Sequence, residues 1–240
     1  RLSMHEDEEL KNPLHIGTIE SLCAAKLPAI VSRFREHHPQ VKLQITVGTP
    51  EELIRMMEHD QLDIIYILDA PRWNESWVKA MEVAEPVVFV ASPAFWAQKY
   101  AECEKNGTVK WSTKTVGQEE ISVRQITLDQ ILQEPFFLTE KNANYRQALD
   151  QHLASCHCCL SPVLEISDTA FIIQMLEQSR GLSFLPLFAV QKQIREGTLA
   201  AVEVDDVEIS MYRQIFYHKN KFRTREMEQF IIFASEEENH

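Results

Sequence analysis

Alternating strand and helix patterns over nearly all of the 240-residue chain predict an α/β protein with parallel-rich layers. Three observations carry this. Short apolar or alternating runs recur as LHIG (14–17), VKLQITV (41–47), LDIIYIL (62–68), PVVFVAS (86–92), PFFLT (135–139), VLEI (163–166), LSFLP (182–186) and MYRQIFYH (211–218). Apolar residues at helical spacing stand between most of these runs. The length also favours two lobes, each with its own core, over one modest domain.

The first strand is followed by Leu22, Leu27, Ile30, Val31 and Phe34, one face of a helix. In the second strand, alternation places Val41, Leu43, Ile45 and Val47 inward and Lys42, Gln44 and Thr46 outward. Thr49-Pro50-Glu51-Glu52 then offers a capping hydroxyl, a first-position proline and two acids suited to a helix dipole. Leu53, Ile54, Met56 and Met57 give that helix its apolar face. LDIIYIL is almost unbroken, as expected of a strand covered on both sides. The opening therefore reads β-α-β-α-β. Trp73 and Trp77 follow Pro71-Arg72 in an expected loop. Residues 99–125 are polar and weakly periodic, which predicts an insertion or a long surface loop. From Asp168 to Ser179 a helix buries Phe171, Ile172, Met175 and Leu176, and Arg180-Gly181 is expected to end it with a left-handed glycine. TREMEQFIIF closes the chain as an amphipathic helix with Met227, Phe230 and Ile231 on one side.

Composition excludes several function classes. A net charge of −12 would repel a phosphate backbone, so these residues alone are not expected to bind DNA. No run approaches ~18 consecutive apolar residues, and the charged start RLSMHEDEEL does not suit a secretory leader, so a cytoplasmic address without membrane contact is expected. There is no G-x-S-x-G, no G-x-G-x-x-G and no Walker A motif among only six glycines, so neither an enzyme nor a cofactor is expected. Five cysteines, Cys23, Cys103, Cys156, Cys158 and Cys159, are odd in number and the last three crowd into four positions, as suits reduced thiols. Within that tract, His152 and Cys156 fall at i, i+4 and carry metal-ligand chemistry. It lacks paired C-x-x-C spacings, so its thiols are read as incidental and no metal is expected.

The order LHIGTIESLCAAKLPAIVSRFREHHPQVKLQITVGTPEELIRMMEHDQLDIIYIL resembles the first half of a LysR-type effector-binding domain. FFLTEKNANYRQALDQHL resembles the family's second-lobe strand and Tyr-Arg helix, and RGLSFLPLFAVQKQIREGTLAAVEV its Gly-Leu-strand-Leu-Pro segment. The resemblance implies a two-lobe periplasmic-binding-protein-like (type 2) fold with two crossover strands, near Val90-Ala91-Ser92 and Val204-Asp205, and a ligand in the cleft between lobes. It assigns 1–13 to the end of a linker helix, 14–91 plus 205–234 to lobe I, and 92–204 to lobe II. It further implies a fragment of a transcription regulator whose winged helix-turn-helix, absent here, reads DNA. A homodimer or tetramer would form through the helix from Ala24 to Phe34 and the strand from Val41 to Val47. A freestanding solute-binding protein of the same fold is the alternative.

In open α/β sheets ligands bind beyond the carboxyl ends of strands, at helix N-termini. The candidate turns are Thr18-Ile19-Glu20-Ser21, Thr49-Pro50-Glu51, Thr139-Glu140 and Asp168-Thr169. The resemblance places ligand contacts on these turns; for each hydroxyl and acid, helix capping alone is the competing role. Many relatives bind carboxylates or anions. If Glu20, Glu51, Glu140 and Asp168 face the ligand, an amino acid or other zwitterion is better accommodated, with Lys141 or Arg146 meeting its carboxylate.

Overall fold

The computed structural model describes residues 10–108, 110–116, 119–202, 204, 207, 209 and 211–236. It divides into two units, Arg1–Ala84 with Tyr212–His240, and Glu85–Met211. Of the linker helix expected over 1–13, residues 1–9 lie outside the described residues and 10–13 form no helix.

The first unit opens with β1 (Leu14–Thr18), α1 (Glu20–Ala25), α2 (Leu27–His37), β2 (Leu43–Val47), α3 (Pro50–Glu58), β3 (Ile64–Asp69) and β4 (Trp77–Glu85). The second holds β5 (Val87–Ala91), α4 (Pro93–Lys105), β6 (Lys110–Val116), β7 (Glu119–Gln125), α5 (Leu128–Ile131), β8 (Phe137–Leu138) and α6 (Asn144–Ser155). It continues through β9 (Leu164–Glu165), α7 (Thr169–Gln178), β10 (Leu182–Pro186), α8 (Leu187–Glu196) and β11 (Ala200–Val202). The chain then returns to the first unit with β12 (Met211–His218) and α9 (Arg225–Glu236). No described helix is long and apolar enough to cross a membrane.

In the first unit a five-stranded sheet runs in the order β2-β1-β3-β12-β4. β1 is parallel to both β2 and β3, and β12 is antiparallel to β3. All six residues of β3 are buried, as its apolar run requires. Leu53, Ile54 and Met57 of α3 pack with Leu62, Ile65, Ile67 and Phe216 in one cluster. α2 and α9 meet through Phe34, whose ring lies 6.3 Å from Phe230 and 6.1 Å from Phe233. At the chain's entry, Glu226 of α9 accepts from the Lys11 and Asn12 backbone N–H groups at 3.1 and 3.0 Å.

Several expectations are corrected in this unit. The single helix spanning Leu22 to Phe34 is two, because Pro28 has no N–H for the Ala24 carbonyl and the path breaks at Lys26. Of the residues expected inward, Val41 is buried and Leu43 half-buried, but Ile45 is 39% and Val47 51% exposed. β2 is an edge strand, and alternation reports a face without saying what covers it. Trp77 is not in a loop; it begins β4, a strand the sequence reading missed, and its ring meets Phe216 edge-on at 5.5 Å. Trp73 stays exposed.

In the second unit β5 is central to a three-stranded sheet, β10-β5-β11, with both neighbours antiparallel. Phe89 packs on Phe184 at 4.9 Å between ring centroids and on Phe136 at 6.3 Å. β8 and β9 form a short parallel pair. The stretch 99–125 is not an irregular loop. α4 occupies it to Lys105, and β6 and β7 then pair antiparallel from Lys110↔Gln125 to Val116↔Glu119. Strand formers such as Thr113, Thr115, Ile121 and Val123 alternate there with polar residues, and ladder hydrogen bonds hold a hairpin without a strong apolar period. In α7, Ile173 is buried where Phe171 was expected, and Phe171 is exposed. Gly181 has no left-handed backbone, and Ser179 ends α7 in extended geometry. The glycine is needed for closeness, since a Cβ there would lie 2.5 Å from the Phe137 ring.

Two glycine substitutions separate these causes. Gly181→Ala is expected to destabilise by about 1–3 kcal/mol through overpacking against Phe137. Gly197→Ala has open space but a φ of 76°, so its expected loss of about 1–2 kcal/mol is backbone strain alone. Urea unfolding of both variants measures the losses; a Gly181→Ala protein as stable as the parent would refute the close-packing assignment.

Candidate functional site

Because β1, β2 and β3 are parallel neighbours, their C-terminal ends share one edge of the first sheet, with Thr18 opposite both Val47 and Tyr66. Thr18 is fully buried, and its hydroxyl donates to the Tyr66 carbonyl at 2.9 Å, tying β1 to β3. Ile19 stands in extended geometry before α1 and offers no side-chain cap. Glu20 is half-buried, and its charge helps burial hold the Cys23 thiol above its ordinary pKa; burial is the larger cause. Ser21 is buried, and its hydroxyl has no hydrogen-bond partner among the described residues.

The second turn is a reciprocal helix cap. The Glu52 N–H donates to Thr49 Oγ1 at 3.3 Å, while the Thr49 N–H donates to Glu52 Oε2 at 2.9 Å. Glu51 is exposed and pairs with Arg72 at 2.6 Å. Arg72 also bonds Asp69 at the end of β3, and its backbone N–H donates to Gln214 Oε1 at 3.0 Å. Burial pushes the Asp69 carboxyl above its ordinary pKa despite the opposing pull of the Arg72 guanidinium. Asp69, Arg72 and the fully buried Gln214 thus make a polar brace at this edge that the sequence did not single out.

In the second unit the parallel β8–β9 pair carries the other two turns to one edge, with the Ile166 N–H donating to the Leu138 carbonyl at 3.1 Å. Asp168 caps α7: its Oδ1 accepts from the Phe171 N–H at 2.9 Å. Thr169, the first residue of α7, is buried. Glu140 and Lys141 are exposed. Arg146 is buried and already engaged, donating to the Thr139 carbonyl at 2.8 Å, to Asp150 at 3.0 Å and to Glu165 at 3.3 Å. It ties the Thr139 turn to α6 and β9.

Thr139 is 4% exposed and its hydroxyl has no partner among the described residues. Asn144, at the first turn of α6, is 8% exposed and leaves both atoms of its amide unpaired among the described residues. Ala143 before it provides no side-chain cap. Ser183, inside β10, is fully buried and its hydroxyl has no partner among the described residues. A buried polar group left unpaired costs about 1–3 kcal/mol, so such groups are rare in folded proteins and mark places where something else completes them. Of the turn residues expected from sequence, Ser21 and Thr139 have this property, while Thr18, Thr49, Glu51 and Asp168 are engaged within the fold. Asn144 and Ser183 were missed. A signal existed for Ser183, a lone hydroxyl in the otherwise apolar run LSFLP, but none separated Asn144 from an ordinary surface amide.

The family of LysR substrate binding domains matches residues 7–104 and 119–238. Among curated relatives, the HTH-type transcriptional activator CmpR of Synechocystis is 21% identical over 213 residues, 88% of this chain and 62% of its own. The HTH-type transcriptional regulator CbbR of Rhizobium meliloti is 24% identical over 209 residues, 86% of this chain and 59% of its own. The chain thus spans about six-tenths of the length of these relatives. Among solved structures, the regulatory domain of HypT from Salmonella typhimurium has a TM-score of 0.66 at 15% identity and covers 96% of this chain and 97% of its own. The cofactor-binding domain of the Cbl transcriptional regulator has a TM-score of 0.69 at 16% identity, covering 97% and 91%. These likenesses give the fold as the type 2 periplasmic-binding-protein-like class. With the family match extending over most of its residues, this chain belongs to the family of LysR substrate binding domains.

Proposed function

We propose that this chain senses a small polar effector, and that a separate N-terminal winged helix-turn-helix of the whole protein reads DNA in the cytoplasm. Binding rather than catalysis is the proposed activity. The observation that supports the site assignment lies in the second unit, where the Thr139 hydroxyl and the Asn144 amide are buried and unpaired among the described residues. Thr139 and Asn144 lie on the turn that opens α6, where uncapped N–H groups favour an oxygen-rich or anionic ligand group. The acids invoked for a zwitterion are weaker candidates, since Glu51 is paired with Arg72 and Asp168 caps α7. Arg146 is likewise committed. A carboxylate or inorganic oxyanion, met by hydroxyl and amide groups, is therefore the proposed effector class, ahead of an amino acid.

The proposed output is a population shift: an effector that binds one subunit arrangement better than another biases the assembly by that difference in affinity. A homodimer, or a tetramer built from it, is the proposed assembly. The exposed apolar edge strand β2, with Ile45 and Val47, supports a second copy packing there.

A thermal-shift screen of carboxylates, oxyanions and amino acids tests the site. At a concentration a hundred times its Kd, a true effector should stabilise the fold by about 2.7 kcal/mol. Thr139→Ala and Asn144→Ala are expected to weaken binding about tenfold each while leaving the free protein as stable or more so, because each removes a group unpaired in the free fold. Thr49→Ala should do the reverse, destabilising the free protein by about 1 kcal/mol through its lost cap with affinity unchanged. Undiminished binding in both the Thr139 and Asn144 variants would sink the assignment. For the assembly, light scattering is expected to report a dimer that Val47→Lys converts to a folded monomer; a parent chain that stays monomeric at high concentration contradicts it.

A further inference from the structure

We propose that the end of α6 binds one thiophilic metal ion, through His152, Cys156 and Cys158. His152 and Cys156 stand one helical turn apart, with Nε2 and Sγ separated by 3.9 Å. With metal–nitrogen bonds of about 2.0–2.1 Å and metal–sulfur bonds of about 2.3 Å, such a pair is about 3.5 Å apart at a tetrahedral angle and about 4.3 Å apart when nearly linear. The observed separation falls inside that range, so an ion can enter between the two atoms without displacing the helix.

The backbone brings the third residue back toward the end of the helix. The helix ends with the Cys158 N–H donating to the Leu153 carbonyl at 2.8 Å and the His157 N–H donating to the Ala154 carbonyl at 3.1 Å. His157 takes the left-handed conformation at φ 57°, a position usually given to glycine. This folds the chain back so that Cys158 Sγ lies 3.4 Å from the Cys156 carbonyl oxygen. Among the described residues no three ligand groups already converge. The pair is preformed at 3.9 Å, and Cys158 is the proposed third ligand that moves in when the ion binds.

Two further observations suit a cation here. The cysteines are free thiols, with Cys156 and Cys159 exposed and Cys158 half-buried, so an ion has access. The position is a helix C-terminus, where the backbone dipole favours positive charge. Thiolate and imidazole together select soft or borderline ions such as Cu⁺ and Zn²⁺ over Mg²⁺ or Ca²⁺. Each thiol that binds loses its proton to solvent as the sulfur–metal bond forms, so loading acidifies an unbuffered sample.

The test uses the reduced, metal-free 240-residue chain, titrated with Co²⁺ as a probe for Zn²⁺ and, separately, with Cu⁺ held by a coloured competing chelator. One equivalent should bind, with sulfur-to-cobalt charge-transfer absorption and proton release. His152→Ala and Cys156→Ser should each weaken binding by at least about tenfold, and Cys158→Ser should weaken it and change the cobalt spectrum. Cys159→Ser and the double change Cys23→Ser with Cys103→Ser should leave it intact. Displacement of Co²⁺ by Zn²⁺ supports a divalent ion, and capture of Cu⁺ alone a monovalent one. The proposal is overturned if neither metal binds at one equivalent, or if Cys156→Ser, folded by circular dichroism, binds as the parent does.

Discussion

Complete burial of β3 is the constraint on which the first unit is built. A strand with all six residues inside must be flanked by strands on both edges and covered on its faces, and β1, β12, α3 and Phe216 meet those demands. The close fit reaches β1, where a Cβ on Gly17 would lie 2.5 Å from Leu62 and 2.9 Å from Leu53. The parallel pairing that results is also what aligns the ends of β1, β2 and β3. Thr18 secures that alignment from within by donating to Tyr66, so a hydroxyl at a strand end, where ligand contacts are expected, acts first as a structural tie.

Polar groups at the strand ends of both units are of two kinds. Thr49, Asp168 and Arg146 have their hydrogen bonds made by the fold, and their energetic role is complete without any ligand. Ser21, Thr139, Asn144 and Ser183 do not. Free energy of folding argues against keeping such groups buried and unpaired unless another molecule completes them. Membership of an effector-binding family gives that molecule a place in the protein's work. The contrast also bears on ligand charge, because the groups left open are neutral while Glu51 and Arg146 are held in ion pairs within the fold.

Much of the fold was legible in the sequence because local rules determine it. The β-α-β-α-β opening, the Thr49 cap and the Asp168 cap follow from periodicity and capping chemistry. What was not legible depends on tertiary surroundings. Ile45 and Val47 alternate as an inward face does, but nothing local says that the edge of the sheet is uncovered. Trp77–Glu85 mixes Lys79, Glu82 and Glu85 into a strand whose partner, β12, lies far along the chain. Gly181 after a helix invites a left-handed cap, whereas contact with Phe137, distant in sequence, is what requires it. The same holds for the site. Arg146 reads as a carboxylate receptor until Asp150, Glu165 and the Thr139 carbonyl are seen around it, and Asn144 stands out only once both of its amide atoms are found unpaired.

The most direct measurement is a crystal structure of the chain bound to the compound that stabilises it most. The expected result is a carboxylate or oxyanion oxygen within hydrogen-bond distance of Thr139 Oγ1 and the Asn144 amide, with the Asp168 and Thr49 caps unchanged. A ligand seated elsewhere, with the Thr139 and Asn144 side chains still unpaired, would contradict the assignment of these buried groups to effector binding.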